Sequence, residues 1–121
     1  LKSEGFVVVE DIDAGEGAWP TTVETALYRV AQEAMSNIRK HAGGPCRVEV
    51  SLHIHPASGV RRLRIRDFGS GAADVPVSDD AGRHIGIAVM RERMTAIGGQ
   101  LLWQPQRDGG VEVLATLAGD A

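Results

Sequence analysis

Residues 46–67 read CRVEVSLHIHPASGVRRLRIRD, and apolar and polar side chains alternate on both sides of the central Pro-Ala-Ser-Gly turn. Alternation places successive side chains on opposite faces of a strand, so each half is typical of a half-buried β-strand. In the second half, Leu63 and Ile65 share the inward face, and three arginines share the outward face. The stretch therefore predicts a β-hairpin with strands over residues 46–55 and 61–67.

Asp67 ends the hairpin with the same parity as its inward-facing residues, so we expect a buried carboxylate. A buried carboxylate without hydrogen-bond donors is costly, and two hypotheses supply donors. In the first hypothesis, Asp67 caps the following turn, as Asp before Gly often does. Alternatively, it accepts a hydrogen bond from a ligand such as the exocyclic amine of adenine, worth roughly 1.5–3 kcal/mol. Gly69 and Gly71 follow directly, and glycines let backbone approach a ligand closely.

One helix is predicted on each side of the hairpin. The first has a capping-box pattern at Thr21 and Glu24, apolar residues at helical spacing up to His41, and a Gly-Gly-Pro stop. The second is predicted over residues 85–97, after a loop of small and polar residues over 69–83. A helix that opens near Gly86 would present free N–H groups to an anion, or it is an ordinary loop-to-helix junction.

Three further strands are predicted over residues 6–9, 101–103 and 111–117. The order of elements is then β, α, β, β, α, β, β. This order predicts an α+β two-layer sandwich, in which a mixed sheet carries its helices on one face. A length of 121 residues fits a single domain over residues 1–121.

Glu33, Asn37 and His41 recur every four residues along the first helix and border its apolar face. We call these three residues the polar stripe. The Asn37 oxygen suits Mg²⁺, which prefers hard oxygen ligands, and the nearby Lys40 would reach a phosphate. The alternative is a solvated flank of the helix without a ligand.

Composition excludes several classes of function. The formal net charge of -3 argues against a nucleic-acid or anionic-membrane surface. A single cysteine, Cys46, excludes an internal disulfide and a multi-cysteine zinc site, and it fits a cytoplasmic domain. No apolar run is long enough to span a membrane. The sequence starts at Leu1 without a signal-peptide pattern, and we expect a domain excised from a larger protein.

Several motifs occur in one order along the chain: QEAMSNIRKHA at 32–42, DFGSG at 67–71, GIAVMRERMTAIGG at 86–99, and a Gly-Gly turn at 109–110. Together they resemble the catalytic and ATP-binding domain of bacterial sensor histidine kinases, which has the Bergerat fold. The resemblance covers about residues 6–117. Within that family the stretch from His84 to Arg93 is similar to nitrate/nitrite-responsive sensor kinases.

The resemblance implies a nucleotide pocket with an adenine end and a phosphate end. Asp67 would accept a hydrogen bond from the exocyclic amine of adenine, an amine that guanine lacks at that position. Gly69 and Gly71 would leave space for the loop to approach the nucleotide. At the phosphate end, Asn37 would be a Mg²⁺ ligand, and Glu33 would position water beside the ion. Lys40 and His41 would contact phosphate, and Gly86 and Ile87 would lie against the phosphates. Residues 72–83 would form an ATP lid.

The resemblance further implies transfer of the γ-phosphoryl group of Mg-ATP to a histidine on a separate dimerisation domain, for relay to a response regulator. The parent protein is then expected to be an inner-membrane homodimer. The isolated domain would be a cytoplasmic monomer that binds ATP without phosphorylating itself. Two alternatives stay open: a protein serine kinase of the anti-sigma type, and a degenerate nucleotide-sensing or docking module. The second draws support from His84, Val89 and Val111, which replace residues common in relatives.

Overall fold

The computed structural model describes residues 5–13, 19–55, 57–69 and 77–118, with backbone alone over 77–84. The elements follow the predicted order. They are β1 (Val7–Asp13), α1 (Thr21–His41), β2 (Arg47–Ile54), β3 (Arg61–Asp67), α2 (Val77–Ala96), β4 (Gln100–Pro105) and β5 (Val111–Leu117).

The five strands form one sheet in the order β1-β2-β3-β5-β4. β1 runs parallel to β2, and the other neighbours are antiparallel, so the mixed sheet is confirmed. β3 lies at the centre, where Ile65 pairs with Val50 on one side and with Val113 on the other. Asp67 therefore ends the central strand, between the start of β2 and the start of β5.

Both helices cover the same face of the sheet and pack against each other. α1 contacts β3 and β5, while α2 contacts β4 and β5. The core between the two layers includes Val30, Ile65, Met90 and Met94, each fully buried or nearly so. Because the helices shield this face alone, the alternation of β2 and β3 is explained by a dry inner side and a wet outer side.

The outer face carries a charge ladder centred on Arg64. Its Nε donates to Glu112 at 2.8 Å, and its Nη1 donates to Glu49 at 3.3 Å. A hydrogen bond from Arg47, opposed by partial desolvation and assisted by Arg64, lowers the pKa of Glu49. Arg64, the middle of the three arginines that alternate along β3, is thus paired with carboxylates of both neighbouring strands.

Two strands and the start of α1 differ from the sequence prediction. β1 continues to Asp13, beyond the predicted strand end at residue 9, because each added residue pairs with β2. β4 likewise extends to Pro105 by pairing with β5. The predicted capping box is wrong: Pro20 is the cap of α1, no side chain of the described residues caps it, and the Pro20 carbonyl accepts from the first turn.

The start of α2 was also predicted wrongly. The helix begins at Val77, so residues 77–83, assigned above to a loop and lid, are helical. Residues 77–80 read Val-Ser-Asp-Asp after a proline, a composition that favours a helix N-terminus although it has no apolar period. The rest of the predicted lid, residues 72–76, and Gly71 lie outside the described residues.

Candidate functional site

Asp67 is 3% exposed, as its parity predicted. Its Oδ1 accepts from the N–H of Gly69 at 3.0 Å, and its Oδ2 accepts from the N–H of Val111 at 3.1 Å. The turn-capping hypothesis is therefore confirmed, and a second donor comes from a strand 44 residues away. A carboxylate oxygen can accept more than one hydrogen bond, so both oxygens of Asp67 retain capacity for a further donor.

Two glycines hold the Asp67 turn close to its neighbours. A Cβ at Gly69 would meet the Ala42 carbonyl oxygen and lie 2.8 Å from the Ala42 Cβ. A Cβ at Gly110 would meet the Asp67 carbonyl oxygen, and Gly110 has a φ of +80°. The turn is thus packed between the end of α1 and the start of β5, and neither position has room for a side chain.

Gly86 brings α2 against the polar stripe. A Cβ at Gly86 would lie 2.6 Å from Glu33 Oε1 and 3.1 Å and 3.2 Å from the amide oxygen and nitrogen of Asn37. Gly86 therefore lies against Glu33 and Asn37 of the polar stripe. The expectation of a helix N-terminus at Gly86 is wrong, because α2 starts at Val77 and N–H groups inside a helix bond within it.

Asn37 carries an unpartnered group. Its Nδ2 is buried and has no hydrogen-bond partner within the part of the chain that the structure describes. A buried donor of this kind is rare in folded proteins, and an acceptor oxygen of a bound ligand would satisfy it. Among the other predicted phosphate-end residues, His41 is half-buried, Lys40 is exposed, and Ile87 is 6% exposed within the core.

A cavity of about 20 Å³ lies between α1 and the sheet at the Asp67 end. It is lined by Ala34, Asn37, Ile38, His41, Ala42, Ile65, Asp67, Trp103, Val111 and Val113. The structure thus brings together Asn37, His41 and Asp67, three residues predicted for one pocket. Trp103 and Val111 were missed, although Trp103 has the same parity along its strand as the buried Leu101.

Cys46 lies next to this turn, where the N–H of Phe68 bonds to the carbonyl of Arg47. Burial raises the pKa of the Cys46 thiol, a backbone hydrogen bond with Phe68 lowers it, and the charge of Asp67 raises it further. No group of three or more His, Cys, Asp or Glu among the described residues is placed to hold a metal ion by itself. Within the same residues, no helix is long and apolar enough to cross a membrane.

Comparison with known proteins gives a consistent result. Residues 22–120 match the sequence profile of the histidine kinase-, DNA gyrase B-, and HSP90-like ATPases. The chain is 35% identical over 78 residues to the sensor histidine kinase MctS of Rhizobium johnstonii, across 64% of this chain and 16% of MctS. It is 29% identical over 112 residues to the nitrate/nitrite sensor protein NarX of Escherichia coli, across 93% of this chain and 18% of NarX.

The fold has a solved counterpart in the histidine kinase domain of the blue-light activated kinase EL346 from Erythrobacter litoralis. The TM-score is 0.73 at 17% identity, over 93% of this chain and 51% of that chain. Other sensor kinases match at identities similar to that of NarX, so the narrower nitrate/nitrite resemblance is one of several. The chain spans under a third of the length of these curated relatives.

Proposed function

The chain belongs to the histidine kinase-, DNA gyrase B-, and HSP90-like ATPase family, and on that premise we propose that it binds Mg-ATP and donates the γ-phosphoryl group to a histidine of a sensor kinase. The observation that carries this proposal is the shared cavity of Asp67, Asn37 and His41 between α1 and the sheet. A pocket that combines apolar walls with a few convergent polar groups is typical of small-ligand sites.

Asp67 would recognise the adenine base. Its two oxygens are held in place by the N–H groups of Gly69 and Val111, and their remaining lone pairs can accept from an amine. Guanine carries a carbonyl oxygen where adenine carries this amine, so a guanine nucleotide would oppose two acceptors. Such an unmatched polar contact gives strong discrimination, which supports ATP as the nucleotide.

Glu33 and Asn37 would serve the phosphate end. They supply a carboxylate and an amide oxygen close to Gly86, and Mg²⁺ takes one or two such protein ligands together with phosphate oxygens and waters. A phosphate oxygen would also give the buried Asn37 Nδ2 the acceptor it lacks. Bound Mg²⁺ would neutralise the charge of the triphosphate, and the chain's own part in catalysis would be to position it.

The acceptor histidine is proposed to lie on a dimerisation domain of the same parent protein, with a response regulator as the later phosphate acceptor. This chain would then be a single catalytic domain and a monomer, cytoplasmic in a homodimeric inner-membrane parent. Asn37, His41 and Asp67 line the cavity, so the isolated chain is expected to bind nucleotide. Because the proposed acceptor lies on a different domain, its own histidines are expected to stay unphosphorylated.

Nucleotide binding is tested by calorimetric titration with a non-hydrolysable ATP analogue, with and without Mg²⁺. We expect binding that Mg²⁺ strengthens, weaker binding of the inosine counterpart, and loss of the Mg²⁺ effect in Asn37→Ala. Ser36→Ala is the matched control, since Ser36 is half-buried on the same helix but borders a different groove. Absence of binding at millimolar analogue would refute the proposal.

Phosphoryl transfer is tested by adding a sensor-kinase dimerisation domain and labelled Mg-ATP. Acid-labile, base-stable phosphate on that domain's histidine is the expected product. Phosphoserine would instead favour a serine kinase of the anti-sigma type. Nucleotide binding without any transfer would favour a degenerate nucleotide-sensing or docking module.

A further inference from the structure

The wall of the cavity that β4 contributes consists of one large side chain. Trp103 lines the cavity together with residues of α1, β3 and β5, and it faces inward beside Val113. We propose that Trp103 sets the size of the base pocket, because its indole fills space that a purine ring must occupy. This inference rests on the nucleotide function proposed above and identifies a residue that limits affinity and base size.

The first argument is volume. A cavity of about 20 Å³ holds roughly one water molecule. Small-molecule sites usually measure about 300 Å³ or more, so a nucleotide base does not fit until lining groups move. A nucleotide that binds here must therefore displace at least one wall of the cavity.

The second argument concerns which wall can move. Ile65 is fully buried at the centre of the sheet, and Ala34 is 1% exposed on α1. Asp67 is held by two backbone hydrogen bonds. Displacing any of these three groups would disturb the core or the central strand.

Trp103 differs from those groups in size and in position. It is half-buried, and its strand β4 is at the edge of the sheet, hydrogen-bonded to β5 alone among the described strands. An edge strand can shift without breaking a second ladder, and an indole can swing outward and flank a base with its face. Among these four lining groups, Trp103 is therefore the one whose movement opens the cavity at the lowest cost to the fold.

Two consequences follow for binding. Moving the Trp103 indole away from its apolar neighbours costs free energy, which reduces the net free energy of nucleotide binding. With a smaller apolar residue at position 103, the protein should therefore bind nucleotide more tightly. The indole should also change its environment when nucleotide binds, and its fluorescence should report that change. The chain has two tryptophans, and Trp19 lies at the other end of β3, where the Arg61 guanidinium stacks on its ring at 4.9 Å.

The experiment uses Trp19→Phe as the background, so that Trp103 is the fluorophore. In this background a non-hydrolysable ATP analogue should shift the Trp103 emission, and Trp103→Leu should bind the analogue at least about tenfold more tightly by calorimetry. Trp103→Phe should fall between the two. Leu102→Ala, on the exposed outer face of the same strand, is the control and should leave affinity unchanged.

The outcomes separate this inference from the proposed function. Equal or weaker binding by both Trp103 variants, with no emission change in the background protein, would overturn the role of Trp103 while the nucleotide site stands. Failure of every protein, including the unmodified chain, to bind the analogue would overturn both. If Trp103→Leu does not fold, the affinity of Trp103→Phe and the emission change decide the question.

Discussion

Asp67→Asn should destabilise the fold in the absence of any nucleotide. The substitution keeps the shape of the side chain but replaces one acceptor oxygen with an amide NH₂. Because Oδ1 and Oδ2 each accept from a backbone N–H, either orientation of the amide places a donor against a donor. The buried turn therefore loses one hydrogen bond whichever way the amide is turned.

The magnitude follows from the type of bond and its burial. A hydrogen bond to a charged group is worth roughly 1.5–3 kcal/mol, and the orphaned N–H adds a desolvation cost. We therefore expect a loss of about 2–3 kcal/mol in the free energy of unfolding, a large fraction of a typical 5–15 kcal/mol. For a domain of this size that loss lowers the melting temperature by about 8–12 °C.

Urea unfolding of the nucleotide-free protein measures this loss. Asp108→Asn is the matched control, because the Asp108 side chain is 73% exposed and pairs with Arg66 at the surface at 3.1 Å. A surface ion pair contributes about 0–1 kcal/mol, so the control should unfold close to the unmodified protein. Equal unfolding midpoints for the two variants would show that the Asp67 hydrogen bonds do not stabilise this turn.

Three further predictions concern glycines and acid stability. Gly86→Ala should keep the unfolding free energy within about 1 kcal/mol, since alanine favours helix interiors. The added methyl group should displace Glu33 and Asn37 of the polar stripe and so weaken Mg²⁺-dependent binding of the ATP analogue. Unchanged calorimetric binding in this variant would contradict the proposed role of this contact. In urea unfolding, Gly110→Ala should lower the free energy of unfolding by about 1–3 kcal/mol more than Gly98→Ala does. Both glycines have a φ near +80°, but only a Cβ at Gly110 would meet the Asp67 backbone. Equal losses would exclude the contact with Asp67 as the cause. The pKa of Glu49 is lowered in the folded protein, so its charge stabilises the fold above its unfolded pKa, and this contribution is lost as the pH falls through its folded pKa. Glu49→Gln should therefore flatten the acid side of the profile of unfolding free energy against pH. An unchanged profile would show that the charge ladder around Arg64 does not stabilise the fold through Glu49.

Local patterns predicted the parts of the fold that depend on local chemistry. The alternation of β2 and β3 follows from one wet and one dry face, and the inward parity of Asp67 follows from the same period. α2 was cut short because its first residues show no apolar period, although an acidic first turn favours a helix start there. The helical spacing of apolar residues indicates which part of a helix is buried, but it does not indicate where an exposed helix end begins.

The candidate site was predictable where its residues share one helix or one turn. Asn37 and His41 are one helical turn apart, so their shared orientation could be derived from spacing. The bond from Val111 to Asp67 spans 44 residues and depends on how the strands pair, which no local pattern records. Trp103 was missed for the same reason, since its place beside Val113 follows from the β4–β5 register.

Because the bond from Val111 to Asp67 joins residues 44 positions apart, we expect the site to be completed late in folding. The turn after β3 is completed by the start of β5, so a chain that has formed only α1 and the β2–β3 hairpin has no finished cavity. Contacts of long sequence separation close slowly, because loop entropy must be lost before they form. Ligand affinity should therefore appear together with the last strand pairing during refolding, so that the capacity to bind reports a completely folded chain.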